Sequence, residues 1–139
     1  MTKIIKKQLQ EKINNLLEIY QGLKQLQRFK LNDLKENIEN IWAVTFGLIA
    51  AIEATLDIAQ YILAEKGVKS ESYGQIPFKL FEEKIINQKF KEEMQKMIGF
   101  RNCAIHNYPS LEEEHLYEIL QKDVEEFKKF LKIVVKLKV

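Results

Sequence analysis

A chain of 139 residues, 46% hydrophobic and 30% charged, has the length and composition of one globular domain with a single sizeable core, which excludes disordered and fibrous classes. Its net charge of +2 is too mild to demand a nucleic-acid partner on electrostatic grounds alone. The single cysteine, Cys103, excludes an intrachain disulfide. The charged, amphipathic start is unlike a secretory signal, and the longest uncharged run, residues 40–52, is shorter than the roughly 20 residues of a membrane span. A cytoplasmic protein without a membrane partner is expected. Lys3, Lys6, Lys7 and Lys12 crowd the start, and Lys128, Lys129, Lys132, Lys136 and Lys138 crowd the end. They read either as solvated helix faces or as a rim that attracts phosphate.

With only 5 Gly and 2 Pro, long helices are favoured, and the pattern predicts about five helices and no strands. The first runs from about Lys3 to Phe29, where Ile5, Leu9, Ile13, Leu16, Leu17, Tyr20, Leu23 and Leu26 recur at helical spacing. Asp33 and Glu36 resemble a capping box for a second helix, from about Leu34 to Lys66, which stops at Gly67. Its middle, residues 41–52, is apolar on nearly all sides. A surface helix is apolar on one stripe only, so this segment is either central in the bundle or covered by a second chain. Gly47, Ala50, Ala51 and Ala54 permit close helix contact and point to a homodimer. A polar connection, residues 68–76, leads to a short third helix opened by Pro77 and reaching about Ile86. The fourth runs from about Lys89 to Asn107, with Phe90, Met94, Met97, Ile98, Cys103 and Ile105 as core candidates. Pro109 ends it. Ser110 with Glu113 forms a capping box for a fifth, from about Leu111 to Leu137. No repeat or domain boundary interrupts residues 1–139, which read as a single helical domain.

The segment Arg101-Asn102-Cys103-Ala104-Ile105-His106-Asn107-Tyr108 has the form R-x4-H-x-Y. Arg28 and Arg101 are the only arginines, and there are 2 His and 5 Tyr, so shuffling this composition yields the pattern only about once in a thousand chains. Arginine is a fixed cation with a planar fork suited to phosphate. Histidine exchanges a proton near neutral pH, and tyrosine adds a hydroxyl. Such a trio can process a phosphodiester with no metal or other cofactor. On a regular helix Arg101 and His106 differ by about 140°, so they converge only if the helix end unwinds or a second copy completes the site. Each residue also has a structural alternative. Arg101 can pair with a carboxylate such as Asp57 or Glu93, and His106 suits a helix C-terminus. Asn102 can bind phosphate or neighbouring groups. Asp57 is a candidate to orient Arg101, or is simply solvated. His115 reads as a surface residue and Cys103 as a small core residue.

The chain resembles the HepT toxin family of the HEPN superfamily. The likeness rests on the motif and on three further stretches: residues 52–67, Ser72-Tyr73-Gly74, and Met97-Ile98-Gly99-Phe100 leading into Arg101. It covers roughly Leu34 to the C-terminus. The resemblance implies an all-α, HEPN-like antiparallel bundle that dimerises around its signature helices. It implies a metal-independent endoribonuclease acting on tRNA or mRNA, with Arg101 and His106 as the catalytic pair. It further implies the toxin of a type VII toxin–antitoxin system. The partner would be an MntA-type nucleotidyltransferase antitoxin that neutralises the toxin by transferring AMP to Tyr108. Every position of R-x4-H-x-Y is filled. The competing assignment is a non-catalytic helical subunit that docks on a minimal nucleotidyltransferase and presents its substrate.

Overall fold

The computed structural model describes residues 3–107 and 111–137. Tyr108, Lys138, and Ser110 with its expected capping box lie outside the described residues. The fold is all-α, as expected, and no strand occurs among the described residues. Helix α1 spans Lys3–Leu26 and buries Leu9, Leu16, Tyr20 and Leu23. It ends slightly before its expected limit in a tightened turn, with Arg28 N–H donating to Gln25 O and Phe29 N–H to Leu26 O.

The expected long second helix is divided. Helix α2 spans Leu31–Glu36 and α3 spans Ile38–Glu65. Between them Asn37 is extended (φ −139°, ψ 110°), and its side chain accepts Glu39 N–H at 2.9 Å, which caps α3. Asp33 is therefore not the cap. It sits inside the first turn of α2 and accepts the Lys30 N–H at 2.7 Å. Helix α3 ends at Gly67, which takes a left-handed φ of 73°. Gly67 N–H donates to Ala64 O, and Val68 N–H reaches back to Leu63 O, as a left-handed C-terminal residue permits.

Helix α3 is the axis of the molecule, in contact with α1 and α2 and with every helix that follows. Val44, Leu48, Ala51, Ile52, Leu56, Ile58, Ala59, Ile62 and Leu63 are buried along it, within one contiguous cluster. Of the small residues expected to serve a second copy, Gly47, Ala51 and Ala54 pack within the chain, and Ala50 is half-buried. A Cβ added at Gly47 would lie 2.9 Å from Leu23 Cδ2 of α1, and Ala51 and Ala54 are buried. The apolar run nevertheless leaves one edge in solvent, where Ile38, Trp42 and Phe46 are exposed, Phe46 by 74%. Helix α3 runs on from the uncharged run through Glu53 and Asp57 to Glu65. By length and composition alone it could cross a bilayer, but 50% of its most apolar stretch is buried inside the protein.

A 3₁₀ turn, Tyr73–Gln75, leads into α4, Ile76–Glu82. Helix α4 stops short of the expected Ile86 because Lys84 adopts φ 61°, with Lys84 N–H bonded to Phe81 O and Ile85 N–H to Leu80 O. Helix α5, Gln88–His106, is capped by Asn87, whose side chain accepts Phe90 N–H at 2.8 Å. The expected last helix begins later, at α6, Glu113–Glu118. It widens into a π-helical turn, Ile119–Asp123, and continues as α7, Glu125–Val135. The wider turn holds Leu116, Leu120 and Val124, spaced four apart, on the inner side before Phe127, Phe130, Leu131 and Val134 resume the stripe.

Candidate active site

Residues 101–106 of the signature segment form the last turn and a half of α5. That helix is held down by Phe90, Met94, Ile98 and Ala104, all buried, and by stacking of Phe90 on Phe130 at 6.0 Å between ring centroids. This packing turns Arg101 toward α3, with its side chain 21% exposed. Arg101 Nε and Nη2 donate to the same oxygen, Glu53 Oε1, at 3.1 and 3.0 Å. Nη1 donates to Asn102 Oδ1 at 3.0 Å. The Tyr73 ring covers the guanidinium, 5.0 Å from Cζ to centroid, within the range of cation–π attraction. Three N–H donors are engaged, of the five that a guanidinium carries. The Nε edge is taken by the carboxylate, while Nη1 and Nη2 each keep one N–H without a partner among the described residues, donors that suit a phosphate oxygen.

The carboxylate that orients Arg101 is thus Glu53. The expectation for Asp57 is corrected, because Asp57 lies one turn further along α3, opposite α1. There it accepts Lys12 Nζ at 2.7 Å and is 55% exposed. Glu93, the other carboxylate considered for Arg101, accepts from Lys96 at 3.3 Å. The sequence singles out neither Glu53 nor Tyr73. Both sit in the stretches that carry the family resemblance, but only the packing of α3 and the 3₁₀ turn against α5 says that they meet Arg101.

His106 is the last residue of α5 and is exposed. Asn107 leaves the helix at φ −144°, ψ 51°, its N–H still bonded to Cys103 O at 2.8 Å. The helix therefore stays wound to His106, and the roughly 140° between Arg101 and His106 persists. Among the described residues no hydrogen bond joins the two. The chain gathers Arg101, Asn102, Glu53 and Tyr73 and leaves His106 on a separate face at the same helix end. Tyr108, the third motif residue, lies outside the described residues. Cys103 and His115 line a separate cleft of about 340 Å³ between α5 and α6–α7, bordered by Met97, Phe100, Ile119 and Phe127. Neither Arg101 nor His106 lines that cleft, so it is separate from the motif residues.

Known proteins resemble the chain along nearly its whole length. The mRNA nuclease HepT of Shewanella oneidensis is 25% identical over 125 residues, which is 88% of this chain and 94% of that protein. The tri-AMPylated Shewanella oneidensis HEPN toxin, solved in complex with MNT antitoxin, superimposes with a TM-score of 0.86. That match covers 99% of this chain and 100% of the other at 23% identity. YutE of Bacillus subtilis, a cytosolic protein of unknown function, matches with a TM-score of 0.74 at 21% identity, over 91% of this chain and 87% of its own. Residues 9–134 match the family described as Ribonuclease HepT-like, and the chain belongs to that family.

Proposed function

We propose that this protein is the toxin of a type VII toxin–antitoxin pair, a cytoplasmic endoribonuclease that works as a homodimer with residues 1–139 as one helical domain. The observation that carries the reading is the posture of Arg101. It is clamped along its Nε edge by Glu53, bonded through Nη1 to Asn102, faced by Tyr73, and keeps two N–H donors for a phosphate. The ribonuclease family and the relative named an mRNA nuclease support the same chemistry.

In the reaction the 2′-oxygen of one nucleotide forms a bond to the adjacent phosphorus as the bond from phosphorus to the 5′-oxygen breaks, leaving a 2′,3′-cyclic phosphate. Arg101 neutralises the charge that accumulates on the non-bridging oxygens. His106 removes the 2′-hydroxyl proton or protonates the departing 5′-oxygen. One chain supplies one such imidazole, so a second copy is needed to fill both roles. The surface for it is the exposed edge of α3. Trp42, Phe46, Ile49 and Glu53 follow one another at four, three and four residues and so share an edge. Exposed Ile105 adds apolar surface on α5 beside the site. Contiguous apolar surface of this kind marks an interaction site. A copy docked there extends the apolar stripe directly into the Glu53–Arg101 pair.

Regulation follows from position. Tyr108 is two residues beyond His106, and the tri-AMPylated relative in complex with its antitoxin makes AMP transfer to this tyrosine the corresponding proposal. An adenylyl group there adds a negative phosphodiester and bulk where the RNA phosphate must enter. The partner is a nucleotidyltransferase antitoxin of MntA type. The test is cleavage of total RNA and tRNA in EDTA by parent and His106→Ala proteins shown by intact mass to carry no AMP. Cleavage by the parent alone is the expected result. No cleavage by either would transfer the assignment to a docking subunit of the nucleotidyltransferase.

A further inference from the structure

Helix α4 presents two phenyl rings to solvent. Phe78 is 47% exposed and Phe81 39%. They stand three residues apart on one face of α4. Lys91 of α5 sits over both, its Nζ 4.9 Å from each ring centroid. Neither ring belongs to the site described above, yet the cluster is tied to it. Lys91 precedes Arg101 by ten residues on the same helix, roughly 15 Å along its axis and about 80° around it. Tyr73, which covers Arg101, opens the 3₁₀ turn that runs directly into α4, and both that turn and α4 pack on α5. Two cation–aromatic clusters therefore lie along α5, Arg101 with Tyr73 and Lys91 with Phe78 and Phe81, joined through the 3₁₀ turn and α4.

From this arrangement we infer that Phe78, Phe81 and Lys91 form a base-stacking platform for single-stranded RNA, holding nucleotides away from the phosphate at Arg101. The inference rests on the ribonuclease reading for what the held strand is for. Exposed aromatic rings beside a cation are the usual means of gripping unpaired bases, since every base offers a face to stack while the cation takes the backbone. The separation suits a strand: roughly 15 Å takes four to five steps at the stacked spacing of 3.4 Å, so about five or six stacked nucleotides reach from one cation to the other, and fewer if the strand is stretched. Charge alone does not explain such a site. Lys79, Lys84, Lys89 and Lys91 are nearly balanced by Glu82, Glu83 and Glu92, so stacking has to supply the grip.

The test is binding of fluorescein-labelled 2′-O-methyl RNA oligonucleotides of four and twelve nucleotides. They lack the attacking hydroxyl, so binding is read apart from cleavage. The Phe78→Ala/Phe81→Ala protein should bind the twelve-mer about tenfold or more weaker than the parent, with the same salt dependence. Phe78→Tyr/Phe81→Tyr should restore binding, and thermal melting should show all variants folded, since both rings are exposed. Lys91→Ala should reduce the slope of log Kd against log salt by about one contact. The four-mer, too short to reach both cations while stacked, should lose less. A double-alanine protein that binds the twelve-mer within twofold of the parent, or a parent that binds neither oligonucleotide, overturns the platform. A double variant that keeps RNA binding and loses the nucleotidyltransferase partner overturns it in favour of a protein-docking face. If the parent binds by these criteria but never cuts ordinary RNA, the ribonuclease reading fails and the platform stands. If it cuts RNA and the double variant binds unchanged, the reverse holds.

Discussion

Replacing Glu53 by alanine should leave the protein folded and slow RNA cleavage by a factor that the structure bounds. Glu53 Oε1 accepts two N–H groups from Arg101, at 3.1 and 3.0 Å. A hydrogen bond to a charged group contributes about 1.5–3 kcal/mol when buried, and an exposed ion pair about 0.2–1 kcal/mol. With Arg101 21% and Glu53 43% exposed, the clamp lies between these limits, at about 1–2 kcal/mol. If that energy holds the guanidinium in its reactive posture, Glu53→Ala lowers kcat/KM by about 5- to 30-fold. The loss should fall mainly on kcat, because the positioned fork matters most as charge develops on the phosphate. Glu53→Gln keeps an oxygen acceptor in place and should lose about threefold. Asp57→Ala is the control, since Asp57 is engaged with Lys12 instead. The assay is steady-state cleavage of a fluorogenic RNA, with Arg101→Ala as the inactive reference. A Glu53→Ala protein within twofold of the parent, beside an inactive Arg101→Ala protein, would refute the positioning role.

The two left-handed residues give opposite stability effects. Gly67→Ala should cost about 1–2 kcal/mol, and Lys84→Gly should raise the melting temperature, because a side chain at positive φ is strained and glycine is not. Both are read by thermal and urea unfolding. The Asp123 carboxyl is pushed above the usual carboxylate range, first by burial and then by Glu93 and Glu126, with Lys96 opposing. Its folded-state pKa is raised, so its ionised form penalises the fold above that pKa, and the penalty is relieved as pH falls through it. Asp123→Asn should therefore stabilise the protein at pH 7 and lose that advantage in acid, as pH-dependent melting will show. Phe46→Glu, at the most exposed apolar position of the α3 edge, should yield monomers in sedimentation equilibrium and little cleavage. A dimeric Phe46→Glu protein would remove that edge from the interface.

The sequence was most informative where local chemistry decides. Most of the α1 stripe (Leu17 faces solvent instead), the stop at Gly67 and the extent of α5 follow from periodicity and from residues whose backbone preferences are strong. The break at Asn37 was hidden because helical spacing runs through it, and Asp33 with Glu36 offered a plausible cap four residues too early. The π-helical turn was hidden because a stripe spaced four apart reads as an ordinary helix. The signature segment announced itself through the rarity of arginine and histidine in this composition. Its supporting group did not, because α3 carries two carboxylates one turn apart, Glu53 and Asp57, and sequence does not say which faces α5 and which faces α1. Tertiary packing makes that choice, with Lys12 waiting for one and Arg101 for the other.

The joint at Asn37 also limits how the chain can change in length. On one side α2 is pinned by buried Leu34, by the Asn40 side chain bonded to Asp33 O at 3.1 Å, and by Lys35 paired with Glu114 at 2.8 Å. On the other side α3 is fixed by contact with the whole bundle. One residue connects them, so the joint holds no slack. Adding or deleting a residue would change both the position and the direction of α2 relative to α3 and carry Leu34 off the core. Substitutions there alter a cap, whereas insertions would misalign two helices at once. Residues 69–72, largely exposed between Gly67 and the 3₁₀ turn, are tied only to that turn, through Glu71 N–H to Gln75 Oε1 and Gln75 N–H to Ser72 O, and not to a second helix. Length variation, whether natural or introduced as a tag or reporter, belongs in that connection.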